Sequence, residues 1–100
     1  MKGAYFMEDD LSIVGKRLKE LRTERQLTMD MVVEDLNNKY DIEITRGHLS
    51  KWENNVNTPS LRLAAYLCKL YGVSLDYLLG LTDSRVPVDL LVKTKGKSKK

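Results

Sequence analysis

The sequence is poor in the groups that staple, bind metal or cross membranes. It holds 1 Cys and 1 His in 100 residues. Cys68 has no disulfide partner, and a lone Cys with a lone His cannot make up the four ligands of a structural zinc site. A reducing, cytoplasmic setting fits that usage, and no metal or other cofactor is expected. No apolar run approaches the roughly 18 residues of a membrane span, and the N-terminal MKGAYFMEDDLSIVG meets its acidic cluster before a signal-type core can form. Export and membrane insertion are therefore not expected. No paired carboxylates, activated nucleophile or ligand cluster stands out, so an enzyme is not expected either. Core-strand alternation and internal repeats are also absent.

What is present is a composition that is 42% apolar, enough for one modest core. The net charge of +3 misleads. Five of the 17 basic residues are Lys93, Lys95, Lys97, Lys99 and Lys100, and the remaining 12 face 14 acidic residues. The part ahead of the tail is slightly acidic, so any case for nucleic acid must rest on where the charges lie.

Apolar spacing divides the chain into five short helices. Leu11, Val14, Leu18 and Leu21 recur at three- and four-residue steps, predicting a helix from Leu11 to about Gln26. Thr28 caps a second, from Met29 to about Asn38, with Asp30 in its first turn and Val32, Val33 and Leu36 inward. After the polar NNKYDIE, Thr45 caps a third helix through Glu53 with Leu49 and Trp52 inward. Thr58 as cap and Pro59 at the first helical position open a fourth, strongly apolar helix from Ser60 to Tyr71 that carries Leu61, Ala64, Ala65, Leu67, Cys68 and Leu70. Gly72 ends it, and Ser74 caps a fifth with Leu75, Leu78 and Leu79 before Gly80. Val86, Val88 and Leu90 form the one strand-like stretch, which Pro87 would confine to an edge. The expected organisation is an N-terminal arm (1–10), a compact all-α domain (11–81), an apolar arm (82–92) and a disordered lysine-rich tail (93–100).

A capped helix pair is an arrangement that can push its second helix into a DNA major groove, although many all-α domains have such pairs. The segments VGKRLKELRTERQLT, HLSKWENN, TPSL and LYGVSLDYLLG, in this order, resemble the Cro and phage-repressor type, or Xre family, of helix-turn-helix proteins. The resemblance spans about Ile13 to Gly80. It implies a lambda-repressor-like five-helix fold in which Thr45 to Glu53 is the recognition helix. Arg46, Gly47, His48, Ser50 and Lys51 would then be its reading face, with Leu49 and Trp52 turned to the core.

Arg46 can donate two hydrogen bonds to guanine, and Lys51 can reach a base edge or phosphate on the same side. Gly47 leaves room for close backbone approach or a thymine methyl. His48 and Ser50 can bond to base or phosphate. The alternative reading of these side chains is an ordinary solvated helix face. The resemblance further implies an ion pair between Glu53 and Arg22 that locks the recognition helix to the first helix. Phosphate contacts are expected from Lys16, Arg17, Met29, Thr45, Asn54, Asn55 and Asn57, near helix N-termini and the following loop.

Two features depart from the family pattern. Met29 stands where a Gln commonly contacts the DNA backbone, and Asn55, Val56 and Asn57 replace a Gly followed by basic residues. Asn55 tolerates the left-handed conformation that Gly would supply. LNNKYDIEIT is longer than the usual link by about six residues, which loop entropy tolerates. Lys39 and Tyr40 in it can touch the DNA backbone or another protein.

The function expected is a sequence-specific transcriptional regulator, a repressor, that binds a palindromic site on double-stranded DNA as a homodimer. Leu75, Leu78, Leu81, Val86, Val88, Leu90 and Leu91 are the dimer-interface candidates. The alternative is a protein-interaction module, such as an antitoxin or an antagonist of another regulator, presenting the Asn37 to Glu43 turn and the apolar arm to its partner.

Overall fold

The computed structural model describes residues 2–86, with side chains from Ser12 onward. Five helices and no strand occur among the described residues: α1 (Lys2–Glu24), α2 (Met29–Tyr40), α3 (Arg46–Glu53), α4 (Leu61–Tyr71) and the single turn α5 (Leu75–Leu78). The all-α, five-helix expectation holds. No helix among these residues is long and apolar enough to cross a membrane.

The packing closes on itself. α1 contacts α3, α3 contacts α2, α2 contacts α4, α4 contacts α5, and α5 returns to α1. Each helix therefore sends its apolar stripe to one shared centre, where Leu18, Leu21, Val32, Leu36, Leu49, Leu67 and Leu78 are all fully buried. A leucine buried in this way contributes about 1.5–3 kcal/mol.

All five helices end in the same manner, and three of the five ends do so without glycine. Gln26 (φ 57°), Asp41 (φ 53°), Asn55 (φ 59°), Gly72 (φ 70°) and Gly80 (φ 83°) each adopt the left-handed conformation just past a helix. The N–H of the next residue then returns to a carbonyl one turn back: Leu27 to Arg22, Ile42 to Asn37, Val56 to Lys51, Val73 to Cys68 and Leu81 to Asp76. These bonds satisfy carbonyls that a helix end would otherwise leave open. Non-glycine residues tolerate this conformation at a cost of about 1 kcal/mol or more, which the helix-end bonds and the packing beyond them offset.

Several boundaries differ from the sequence expectation. α1 begins at Lys2 rather than Leu11, so the backbone of residues expected as an arm continues the helix, and it ends at Glu24 because Gln26 turns left-handed. α2 runs to Tyr40 rather than Asn38. Two residues of the expected long turn, Lys39 and Tyr40, thus continue the helix, leaving residues 41–45 as the link to α3. The extension is packed: Tyr40 stacks on Tyr66 of α4 with centroids 4.0 Å apart, and Lys39 lies 3.6 Å from Asp35. The side chain of Asn37 donates to the carbonyl of Ile44 (2.9 Å) and accepts from its N–H (2.8 Å), which clamps the link. Ser60, not Thr58, caps α4 by accepting from the N–H of Leu63, and Pro59 precedes the cap. Leu61 and Ala65 of α4 are exposed.

Candidate nucleic-acid interface

α3 is an eight-residue helix whose position is set at both ends. At its start, the Thr45 hydroxyl accepts from the N–H of His48 (3.2 Å), and the N–H of Thr45 donates to Nδ1 of His48 (2.9 Å). This is a reciprocal capping box in which histidine does the work more often given to Glu or Gln. With Nδ1 accepting, the neutral ring keeps its proton on Nε2. The same ring lies over Trp52, with centroids 6.2 Å apart.

At its end, Glu53 is buried and receives a forked pair of bonds from Arg22 of α1, Nε to Oε2 at 2.7 Å and the outer nitrogen to Oε1 at 2.9 Å. The third arm of the Arg22 fork donates to the carbonyl of Leu27. The hydrogen bond to Glu53 holds the Arg22 guanidinium pKa above its ordinary value. Burial leaves water little chance to compete for either partner, so the pair defines how α3 sits on α1.

A second latch follows. Asn55 accepts from the N–H of Gly15 (3.1 Å) and donates to the carbonyl of Ser12 (2.9 Å). A side chain at position 15 is not possible without movement, because a Cβ there would lie 2.6 Å from the carbonyl oxygen of Trp52 and 2.7 Å from that of Glu53. Gly15 therefore lets α1 touch the end of α3 directly.

With Leu49, Trp52 and Glu53 buried, helical geometry puts Gly47 and Lys51 at the centre of the outward face, Arg46 and Ser50 on one flank and His48 on the other. Arg46, Gly47, His48 and Lys51 are exposed, and Ser50 is half-buried. Lys51 makes no ion pair among the described residues. Arg46 lies 3.7 Å from Asp30 in the first turn of α2, with both side chains well exposed. Spacing along the sequence gave no sign of that pairing. The Ser50 side chain is engaged by the amide of Asn54, which also donates to the Ser50 carbonyl.

The expected phosphate contacts separate into two groups. Lys16 is exposed beside Gly15, and Asn57 is exposed in the loop after α3. Thr45 stands at the N-terminus of α3. Met29 is half-buried and packs on the core, so only its backbone N–H at the first position of α2 remains to meet an anion. The side chains of Arg17 and Asn55 are engaged within the fold. Arg17 donates to the carbonyls of Tyr77 and Thr82 and to the Asp83 carboxylate, and its guanidinium sits 4.0 Å over the Tyr77 ring. It fastens the segment after α5 to α1. Asn55 spends its amide on α1.

Of the dimer-interface candidates, Leu81 and Val86 are exposed and Leu75 is half-buried, whereas Leu78 is 1% exposed and belongs to the core. Val88, Leu90 and Leu91 lie outside the described residues, as does the lysine tail.

The helix-turn-helix domain family matches residues 15–84, which takes in all of α2, α3, α4 and α5. The Bacillus subtilis HTH-type transcriptional regulator YobD is 36% identical over 72 residues, covering 72% of this chain and 59% of YobD. The HTH-type transcriptional regulator ImmR of the same organism is 37% identical over 83 residues, covering 81% of this chain and 61% of ImmR. The chain thus spans about three-fifths of the length of these relatives. No solved structure gives a significant match. The family match runs through the same α2–α3 pair whose second helix is capped, buried on one side and open on the other, and the chain belongs to the helix-turn-helix domain family.

Proposed function

We propose that the chain is a DNA-binding transcriptional regulator, acting as a repressor, that lays α3 in the major groove of double-stranded DNA. The observation that carries this reading is the outward face of α3. Gly47, Lys51 and Arg46 stand free of the core on a helix whose orientation is held by the Arg22–Glu53 pair. Arg46 and Lys51 donate to base edges, and His48, with its proton on Nε2, offers one further donor. Ser50, engaged by Asn54, reads at the flank. Lys16, Asn57 and the backbone N–H of Met29 contact phosphates. The names of YobD and ImmR, both transcriptional regulators, support the same reading.

One such helix reads only a few base pairs, so a homodimer on a palindromic operator, with half-sites about 34 Å apart, supplies the specificity. Leu75, Leu81 and Val86 are its candidate contacts. Few cations line the phosphate-facing side, so the salt dependence per subunit is modest.

The test is selection of duplexes from a random DNA pool by the purified protein at physiological salt, repeated with Arg46→Ala and Lys51→Ala. A palindromic motif that loses discrimination in the variants is the expected result. No enrichment by the unaltered protein would overturn the reading.

A further inference from the structure

Between α2, the α1–α2 turn and the end of α4 lies a groove of about 350 Å³ that none of the preceding functional argument uses. Its floor is apolar, from Leu27, Met31, Val32 and Leu70, and its rim carries the carboxylates of Glu34 and Asp35. Met31 is 50% exposed there. Asp35 lies 3.6 Å from Lys39, while Glu34 has no ion pair among the described residues. An apolar floor with an acidic rim suits an apolar segment followed by cations.

The chain supplies such a segment, and it departs from near the ends of α1 and α4, which border this groove through Leu27 and Leu70. The carbonyl of Arg85 accepts from the N–H of Ser74, just past α4, and the Arg85 guanidinium forks onto the Glu24 carboxylate at the end of α1, both bonds at 2.9 Å. Arg25 donates to the carbonyl of Tyr71, joining the same two helix ends. Residue 86 is therefore only a few residues' reach from both Leu27 and Leu70. The sequence continues Pro87, Val88, Asp89, Leu90, Leu91, Val92, Lys93, Thr94, Lys95. Leu90 is within about 14 Å of Val86 along an extended backbone. A second apolar groove of about 170 Å³, lined by Val14, Pro59, Leu61 and Leu79 among others, has no carboxylate in its lining and adjoins Val14, not the end of α1 where the chain leaves.

We propose that residues 90–95 of the same chain dock on this groove, with Leu90, Leu91 and Val92 over Met31 and Leu70 and with Lys93 and Lys95 against Glu34 and Asp35. Docking covers the exposed face of Met31 and holds part of the lysine tail on α2. It does not depend on DNA binding, and salt weakens its ionic half.

The test uses the full chain with Thr94→Cys carrying a nitroxide and the methionine methyl groups isotopically labelled. Cys68 stays in place, because it is buried and burial pushes its thiol up to about 11, out of easy reach of the reagent. The Met31 methyl signal is expected to lose at least twofold in intensity. Leu90→Asp with Leu91→Asp should restore it, and Glu34→Lys should restore it in part, while the dispersion of the remaining methyl signals reports that the fold is intact. Three results would each overturn the proposal: undiminished Met31 intensity, a loss indifferent to Leu90→Asp with Leu91→Asp, or a loss of equal size when nitroxide and methyl labels sit on different copies. The last would assign the groove to a second copy.

Discussion

The Asn55 side chain accepts from the N–H of Gly15 while its own backbone sits at φ 59°, so one residue both ends α3 and fastens it to α1. Contact this close requires glycine on the α1 side.

Gly15→Ala is accordingly expected to destabilise the protein, although alanine is the better helix former by about 1 kcal/mol. The added Cβ meets carbonyl oxygens of two successive backbone residues, which cannot swing aside as a flexible side chain would. Overpacking of this kind costs about 1–3 kcal/mol or more and outweighs the propensity gain. Urea denaturation of the variant checks this, and a midpoint at or above that of the parent would contradict it.

The Arg22–Glu53 pair invites a comparison of single and double changes. Glu53→Gln leaves Arg22, whose side chain is 12% exposed, short of its counter-charge and should cost about 3 kcal/mol. Replacing both, Arg22→Met with Glu53→Leu, removes the desolvation penalty together with the attraction and should cost much less. If the effects of Arg22→Met and Glu53→Leu, each made singly, simply added up in the double variant, the pair would not be coupled.

His48 is the side chain most easily mistaken for a purely DNA-facing group. Because it closes the capping box with Thr45, His48→Ala should lower stability by about 1 kcal/mol in the absence of DNA. His48→Gln, which keeps an acceptor of suitable reach, should recover most of that loss. Thermal melts of both variants without DNA decide the matter, and equal melting of His48→Ala and the parent would remove His48 from the cap.

Acid should release the segment after α5. Hydrogen bonds from Arg85 hold the Glu24 carboxyl below its ordinary value of 4.5, with the charges of Arg85 and Arg25 acting in the same direction. A pKa lowered by folding means that the unfolded chain takes up the proton first. The contribution of Glu24 to stability is therefore complete above pH 4.5 and fades as pH falls through the depressed folded-state value. Urea midpoints of the parent and Glu24→Gln should differ near pH 6 and converge toward pH 3; a constant gap would show that the ionised carboxylate is not what matters.

Much of the candidate site could be read from residue order. Thr28, Thr45 and Ser74 act as caps where their spacing to the next apolar stripe placed them, and Leu49 and Trp52 turn inward as helical period requires. Arg17 could not be read in this way. Its sequence neighbours suggest a surface cation, and only the return of Tyr77, Thr82 and Asp83 to α1 gives it a site. Leu78 presented the opposite problem, since an apolar residue near the domain's end can face a partner or the core, and packing chose the core.

The sequence by itself determined the five helices, the caps Thr28, Thr45 and Ser74, the identity of the third helix as the candidate reading element and the family, because periodicity and capping act over a few residues. Tertiary structure alone decided that α2 extends to Tyr40, where stacking on Tyr66 and the Asn37 clamp on Ile44 hold an added stretch of helix in place of a loop. It also decided which polar side chains stay free. Arg17 and Asn55 are consumed by contacts with residues far away in the chain, whereas Lys51 stays clear of ion pairs among the described residues. Those pairings depend on helices meeting at particular faces, and no local pattern records which faces meet.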